Sequence, residues 1–487
     1  MSDSASHSSR RSIIKPKSLI SNPISFAGVL VAACCLLIIA FILVADWMGF
    51  EWNPYVGVVA LLVLPAIATF GFLLIPAGKA WERRRRAKSG AAASNLIRVE
   101  IDLDSVRTRR RLLVYAATAT LVISFMMATA YKSLVFMDTT TFCGEVCHTV
   151  MQPELTSYRH GPHARVACVE CHIGEGADWF VKSKLSGVRQ VFAVALKTYS
   201  TPIPVPVHNL RPARETCEHC HWPEKFHGSK LVVKTRYQED EANTSVKNVL
   251  LMKIGGGNIA TGEVEGIHWH TSFQHSIEYV ALDEQRDTIP YVRMIGPDGT
   301  ATEYVSDDSR LTADELRAMP RRVMDCMDCH NRPSHVFDDP AFAVDEAMVS
   351  LEIDPALPYI KRQAVELLTT EYATRDEAAR QIPSRLQTFY REQYPDIEQE
   401  KSEAVNRAGT AIADIYLRNV FPAMKVTWGT YTTHIGHTRS DGCFRCHDEA
   451  HSAPDGRTIS GDCSTCHDLL AYEEENPIPT LEELPRR

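Results

Sequence analysis

One pattern, repeated six times, constrains this chain more than any other feature: two cysteines about a turn apart, with a histidine directly after the second. The copies are Cys143-Gly-Glu-Val-Cys147-His148, Cys168-Val-Glu-Cys171-His172, Cys217-Glu-His-Cys220-His221, Cys326-Met-Asp-Cys329-His330, Cys443-Phe-Arg-Cys446-His447 and Cys463-Ser-Thr-Cys466-His467. The first has three intervening residues and the others two. At this spacing two thiols reach the two vinyl groups of one haem while the adjacent imidazole reaches its iron. Zinc ligation and disulfides are rival uses of paired cysteines, but neither requires a histidine after the second. Histidine is 19 of 487 residues, so six such placements by chance have a probability on the order of 10⁻⁹. The pattern therefore reads as six covalently attached haem c groups.

Thirteen histidines remain, and all but His7 follow the last long apolar stretch. That is enough to give every iron a second imidazole. Iron held by two imidazoles has no open position, so it carries electrons rather than binding substrate. The expected distal ligands are His163, His227, His270, His335, His434 and His451. His219 lies inside a motif and is badly placed to turn to another iron.

No charged residue occurs from Ser18 to Ala45, from Trp52 to Gly78, or from Leu112 to Tyr131. Each run meets the roughly 20 apolar residues a helix needs to cross a bilayer, and in lipid a helix satisfies its own backbone. A cleaved signal peptide is a poor reading of the first run, which is too long and lacks a small-residue cleavage site. Arg10, Arg11, Lys15 and Lys17 precede the first run, and the loop from Asp46 to Glu51 has no Lys or Arg. The next loop carries Arg83, Arg84, Arg85, Arg86, Lys88, Arg107, Arg109, Arg110 and Arg111. Basic loops stay in the cytoplasm, so the expected N-terminus is cytoplasmic and everything after Tyr131 is outside. Haem c is attached outside the cytoplasm, which agrees independently. Trp47, Phe50 and Trp52 fall where an outer aromatic belt belongs. Cys34 and Cys35 read as packing residues within the first span. Net charge is −8 with 23% charged residues, which gives no footprint for nucleic acid.

The fold class expected is three transmembrane α-helices plus a mainly irregular and α-helical multihaem periplasmic domain with a β-rich insertion. Residues 1–17 form a cytoplasmic tail and 18–137 the membrane anchor. Residues 138–230 hold motifs one to three, 231–311 the β-rich insertion, 312–425 a helical region with motif four, and 426–487 a module with motifs five and six. Within the insertion, Leu231–Tyr237, Val246–Ile254, Ser276–Leu282 and Tyr291–Val305 are rich in β-branched and aromatic residues. Pro297-Asp298-Gly299-Thr300 splits the last as a hairpin turn. Thr312 and Glu315 make a capping box that opens a helix. Tyr359–Glu371 and Ser402–Val420 have helical apolar periodicity.

The stretch from the third span to about residue 228 resembles the NapC/NirT/NrfH family of membrane-anchored quinol dehydrogenases, over roughly a quarter of the chain. The resemblance rests on Phe142-Cys-Gly-Glu-Val-Cys-His-Thr-Val-Met-Gln-Pro-Glu154, on His163-Ala-Arg-Val-Ala-Cys-Val-Glu-Cys-His172, and on Lys182-Ser-Lys-Leu-Ser-Gly187. The whole layout is most similar to the inner-membrane cytochromes through which metal-reducing bacteria oxidise quinol in anaerobic respiration. It implies a bacterial inner-membrane protein passing electrons from the membrane quinol pool to a periplasmic cytochrome or reductase. Typical members have one membrane helix and four haems, so the two extra helices admit two uses: lining a quinone site, or anchoring and self-association into a homo-oligomer.

Family members with a compact His-x-Met after the second cysteine use that Met on the first iron, beside an acidic residue at the quinol site. Here the methionine comes one residue later, as His148-Thr-Val-Met151, and Gln190 stands where the family has an aspartate. Two states follow: Met151 on iron with a weak or vacant sixth position, or His148 on iron. The resemblance makes Lys182 and Lys184 candidates to hydrogen-bond quinol oxygen. Glu154 is the nearest sequence candidate for the proton acceptor that quinol oxidation needs. Two other classes compete with quinol oxidation. A terminal reductase of a small substrate needs an open iron, which family nitrite reductases mark with Lys in place of an attachment His; all six are His here. A passive relay subunit of a larger respiratory complex needs no quinone site.

Overall fold

The computed structural model describes residues 22–48, 50, 56, 59–88, 105–146, 148–174, 176–207, 210–256 and 266–477. Trp52, Cys147, His208 and the basic N-terminal tail lie outside them. The chain divides into two compact units at Val146/Cys147.

The first unit is helical. Helix α1 (Pro23–Trp47) is opened by Asn22, whose side chain accepts from Ser25 N at 2.7 Å. It pairs with α2 (Leu64–Lys88). The two backbones meet at glycines: a Cβ on Gly28 would lie 2.6 Å from Gly71 O, and one on Gly71 would lie 2.9 Å from Gly28 O. Small residues permit such approach where lipid offers no hydrophobic drive between helices. Cys35 is buried and Cys34 exposed. Ser25 Oγ donates to Ile75 O at 2.9 Å, which keeps a polar group satisfied within the pair. Helix α3 (Val106–Met137) leads into a wide turn, Thr141–Val146, that carries Cys143. Three segments, Pro23–Trp47, Val59–Glu82 and Ala117–Met137, are long and apolar enough to cross a bilayer.

The second unit opens with α4 (His148–His160), α5 (Cys168–His172), α6 (Ala177–Ala195) and α7 (Ala213–Cys217). Two antiparallel sheets follow. In one, β1 (Ser229–Tyr237) pairs with β2 (Ser245–Lys253), and β2 with β8 (His467–Glu474). In the other, the order is β6 (Arg322–Val323), β3 (Ser276–Val280), β4 (Tyr291–Ile295), β5 (Ala301–Ser306) and β7 (His451–Ser452). The turn at Pro297–Thr300 joins β4 to β5, with Thr300 N bound to Asp298 Oδ1 at 2.9 Å. The strands expected in the β-rich stretch thus divide between two sheets, and each sheet recruits a strand from beyond residue 450.

The capping box forms: Thr312 Oγ1 accepts from Glu315 N and Thr312 N donates to Glu315, opening α8 (Ala313–Ala318). Helices α9 (Pro340–Val349), α10 (Ile360–Thr369), α11 (Arg375–Gln393) and α12 (Pro395–Asn419) build the largest core. Leu367 and Leu368, Ile382, Leu386 and Tyr390, and Ala408, Ile412 and Ile415 fill it at helical spacing. Each fully buried aliphatic side chain there contributes about 1.5–3 kcal/mol. A Cβ on Gly409 would lie 2.9 Å from Pro383 Cα, so glycine sets the α11–α12 crossing. Helix α12 is interrupted at Lys401 (φ −122°), just before the periodic segment expected from Ser402.

Candidate functional site

The second to sixth motifs fold as single turns. His221 N donates to Cys217 O at 2.8 Å, His330 N to Cys326 O at 2.8 Å, and His447 N to Cys443 O at 3.1 Å. A helical turn puts residues i, i+3 and i+4 on one side, so both sulfurs and the imidazole face the same way. Asp325 and Asp462 cap the turns of the fourth and sixth motifs through Met327 N at 2.8 Å and Ser464 N at 2.7 Å. No disulfide joins any of the cysteines among the described residues. Burial raises the thiols of Cys443 and Cys466 and pushes that of Cys446 up to about 12. Such surroundings suit an uncharged sulfur, as in a thioether, better than the thiolate a metal ion selects.

Attachment histidines stand opposite other rings. Ring centroids are 6.2 Å apart for His172 and His335, 6.0 Å for His221 and His163, 5.7 Å for His447 and His270, and 6.2 Å for His467 and His437. At the fourth motif, desolvation lowers the His330 imidazole, followed by the rings of His268, His221 and His163. An iron–nitrogen bond of about 2 Å on each face sets two axial rings roughly 6 Å apart.

Hydrogen bonds decide which nitrogen each ring offers. Nδ1 of His163 donates to Pro333 O at 3.0 Å, of His335 to Glu154 O at 3.0 Å, and of His270 to Ile267 O at 2.9 Å. Nδ1 of His268 donates to Ile254 O at 2.7 Å and of His447 to Ser460 O at 2.8 Å. Each arrangement holds the ring and leaves Nε2 as the lone-pair nitrogen, the second-sphere pattern of metal-bound histidine. Burial lowers the His270 and His335 imidazoles, favouring the neutral form a metal needs.

The other three expected distal ligands sit differently. His451 is buried with both nitrogens engaged, Nδ1 on Asp448 Oδ1 at 2.8 Å and Nε2 on Ile289 O at 2.7 Å, so neither is free for iron. His434 is buried with Nε2 on Asp287 Oδ1 at 3.1 Å. His227 is exposed, just before β1. His268 and His437 belong to the remaining histidines but not to the six expected as distal ligands. His437 stacks on Phe444 with centroids 4.4 Å apart. Nothing in their sequence spacing separates them from His270 and His434.

At the first motif, Cys143 is half-buried, Met151 is half-buried on α4, and Cys147 and the His148 side chain lie outside the description. Glu154, expected as a proton acceptor, is buried and already paired: Arg332 Nη2 lies 3.3 Å and His335 Nδ1 3.1 Å from its carboxylate. Lys182 lies on α6 with Nζ 4.5 Å above the Trp179 ring, and Lys184 is on the same helix. Gln190 is exposed and reaches Ser186 Oγ at 3.4 Å. Val181, Leu185, Val188 and Phe192 form an apolar stripe on α6 at 54%, 68%, 57% and 61% exposure among the described residues.

Residues 106–208 match the N-terminal region of the NapC/NirT cytochrome c family. The cytochrome c-type protein ImcH of Geobacter sulfurreducens is 41% identical over 456 residues, 93% of this chain and 89% of that protein. The cytochrome c-type protein NrfH of Wolinella succinogenes is 27% identical over 120 residues, 23% of this chain and 67% of that protein. No solved structure matches the chain.

Proposed function

The chain belongs to the NapC/NirT cytochrome c family of membrane-anchored electron-transfer proteins, and from that membership we propose that it is a quinol dehydrogenase of the bacterial inner membrane. It takes electrons from membrane quinol and passes them along six covalent haems to a periplasmic acceptor. Haem iron accepts one electron at a time, so several irons in series suit a two-electron donor.

The observation that carries the reading is the set of ring pairs 5.7–6.2 Å apart. On this reading His172 with His335, His221 with His163, His447 with His270, and His467 with His437 would each hold one haem iron. An iron held by two imidazoles at these four sites would relay electrons and offer a small substrate no open position, which weighs against a terminal reductase there. Entry is at α6, where Lys182 and Lys184 share a helix with an exposed apolar stripe suited to the bilayer surface. There a lysine ammonium donates a hydrogen bond to quinol oxygen. Glu154 is not its base, because Arg332 and His335 already occupy it. The basic residues before α1 and between α2 and α3 make the N-terminus cytoplasmic and the motifs periplasmic.

The test is reduction of the purified chain by a menaquinol analogue. The wild type is expected to be reduced, and a Lys182→Ala/Lys184→Ala variant to lose quinol-driven but not dithionite-driven reduction. A chain reduced by dithionite but never by quinol would leave it a passive relay subunit.

A further inference from the structure

We infer that Arg332 is a positioning residue for two haem sites at once. It closes the loop 332–335, which carries the distal imidazole of the second site and the carbonyl that holds the distal imidazole of the third. The inference rests on the haem reading above and adds to it a residue that is not itself a ligand.

The loop begins two residues after His330. Arg332 Nε donates to His335 O at 2.6 Å, which closes four residues on themselves. Pro333, with a fixed φ and no N–H to satisfy, stiffens the middle. Its carbonyl accepts from His163 Nδ1 at 3.0 Å, and the His163 ring stands 6.0 Å from that of His221. At the end of the loop, the His335 ring stands 6.2 Å from that of His172. One short loop thus orients a ring at each of two sites. Helix α4 receives it at close range. Ser157 Oγ donates to Val336 O at 2.8 Å, and a Cβ on Gly161 would lie 3.0 Å from Ser334 O. His163 comes two residues after that glycine, so its bond to Pro333 O depends on the loop keeping its shape.

The guanidinium is fixed from several directions. The Arg332 side chain is 8% exposed. Its central carbon lies 4.1 Å from the Tyr431 ring centroid and 5.2 Å from that of Phe337. Tyr431 is held in turn by its hydroxyl, which donates to Ile203 O at 3.0 Å. Next to Arg332, the Asn331 amide donates to Thr432 O and accepts from His434 N, each at 2.9 Å. Arg332 Nη2 lies 3.3 Å from Glu154 Oε2, and that carboxylate lies 3.1 Å from His335 Nδ1. A buried cation so placed has two tasks. Its planar fork shapes the loop, and its charge offsets Glu154 beside the second site.

Variants Arg332→Lys and Arg332→Met, made in the full-length holoprotein, separate the two tasks by spectroscopy and redox titration rather than turnover. Attachment is through cysteine, so both should keep six haems by pyridine haemochrome. Lysine keeps the charge but cannot reproduce the fork. In Arg332→Lys the electron paramagnetic resonance signals of two low-spin haems should shift, with no midpoint potential falling. Methionine removes the charge as well. In Arg332→Met the same two signals should shift and one midpoint potential should fall, because the unbalanced Glu154 anion favours ferric iron. Adding Glu154→Gln to Arg332→Met should bring that potential back towards wild type without restoring the signals. Unchanged signals in Arg332→Lys, a shift confined to one haem, or a shift spread over all six overturns the proposal. So does a fall in potential that Glu154→Gln leaves in place. If Arg332→Met does not fold, the signals of Arg332→Lys decide alone. A wild type with fewer than six haems, or without low-spin signals, sinks the haem reading and this inference with it.

Discussion

Replacing Glu154 by Gln should raise the potential of one haem, the one that His172 and His335 are proposed to hold, by about 100 mV. The Glu154 carboxylate lies 3.1 Å from His335 Nδ1. Crossing the ring and one iron–nitrogen bond adds about 4 Å, placing the charge roughly 7 Å from iron. At an effective dielectric constant of about 20, one charge at that distance is worth about 2.4 kcal/mol. Because about 1.4 kcal/mol corresponds to tenfold and tenfold to about 59 mV for one electron, the shift is about 100 mV. The sign is fixed because an anion favours ferric over ferrous iron, so removing it favours reduction. Arg332 keeps its charge in the variant, so nothing cancels the loss. Gln conserves shape, and the backbone bond from His335 to Glu154 O survives, so the ring stays in place. A redox titration followed by visible and electron paramagnetic resonance spectra should show one component moving up and the others staying. A titration that superimposes on the wild type, or a downward shift, would refute the placement of His335 as that iron's ligand.

Mass spectrometry with a pyridine haemochrome assay should find six haems per chain; four or fewer would contradict the motif reading. A reporter active only outside the cytoplasm should work when fused after residue 487 and fail at residue 95, and the reverse would overturn the charge argument. Asp328→Ala removes a buried carboxylate that holds Arg286 at 2.7 Å, Arg322 at 2.8 Å and the Tyr279 hydroxyl. Breaking such a cluster should cost about 3–5 kcal/mol, read as a lower denaturation midpoint. Leu386→Ala in the helical core should cost about 2–5 kcal/mol and leave the haem spectra unchanged. Altered spectra there would mean that the core also positions a haem.

The sequence alone determined what depends on neighbours within a turn or two, or on the length of an apolar run. Six cysteine pairs with their histidines are legible because each motif is confined to five or six consecutive residues. The three spans are legible because hydrocarbon excludes charge over a fixed thickness. The strands, and the capping box at Thr312, rest on equally local alternation and hydrogen bonding. Tertiary structure decided what depends on distant partners. Strand β8 completes one sheet against β2, and β7 the other against β5, across more than a hundred residues. The histidine opposite each attachment ring is set by which of its nitrogens the fold has already consumed. Ile289 O takes Nε2 of His451 from 162 positions away, whereas Glu154 O takes Nδ1 of His335 from 181 positions away and leaves Nε2 free. Spacing carries no trace of that choice, because a ring nitrogen is occupied or spared by contacts that exist only once the chain has folded.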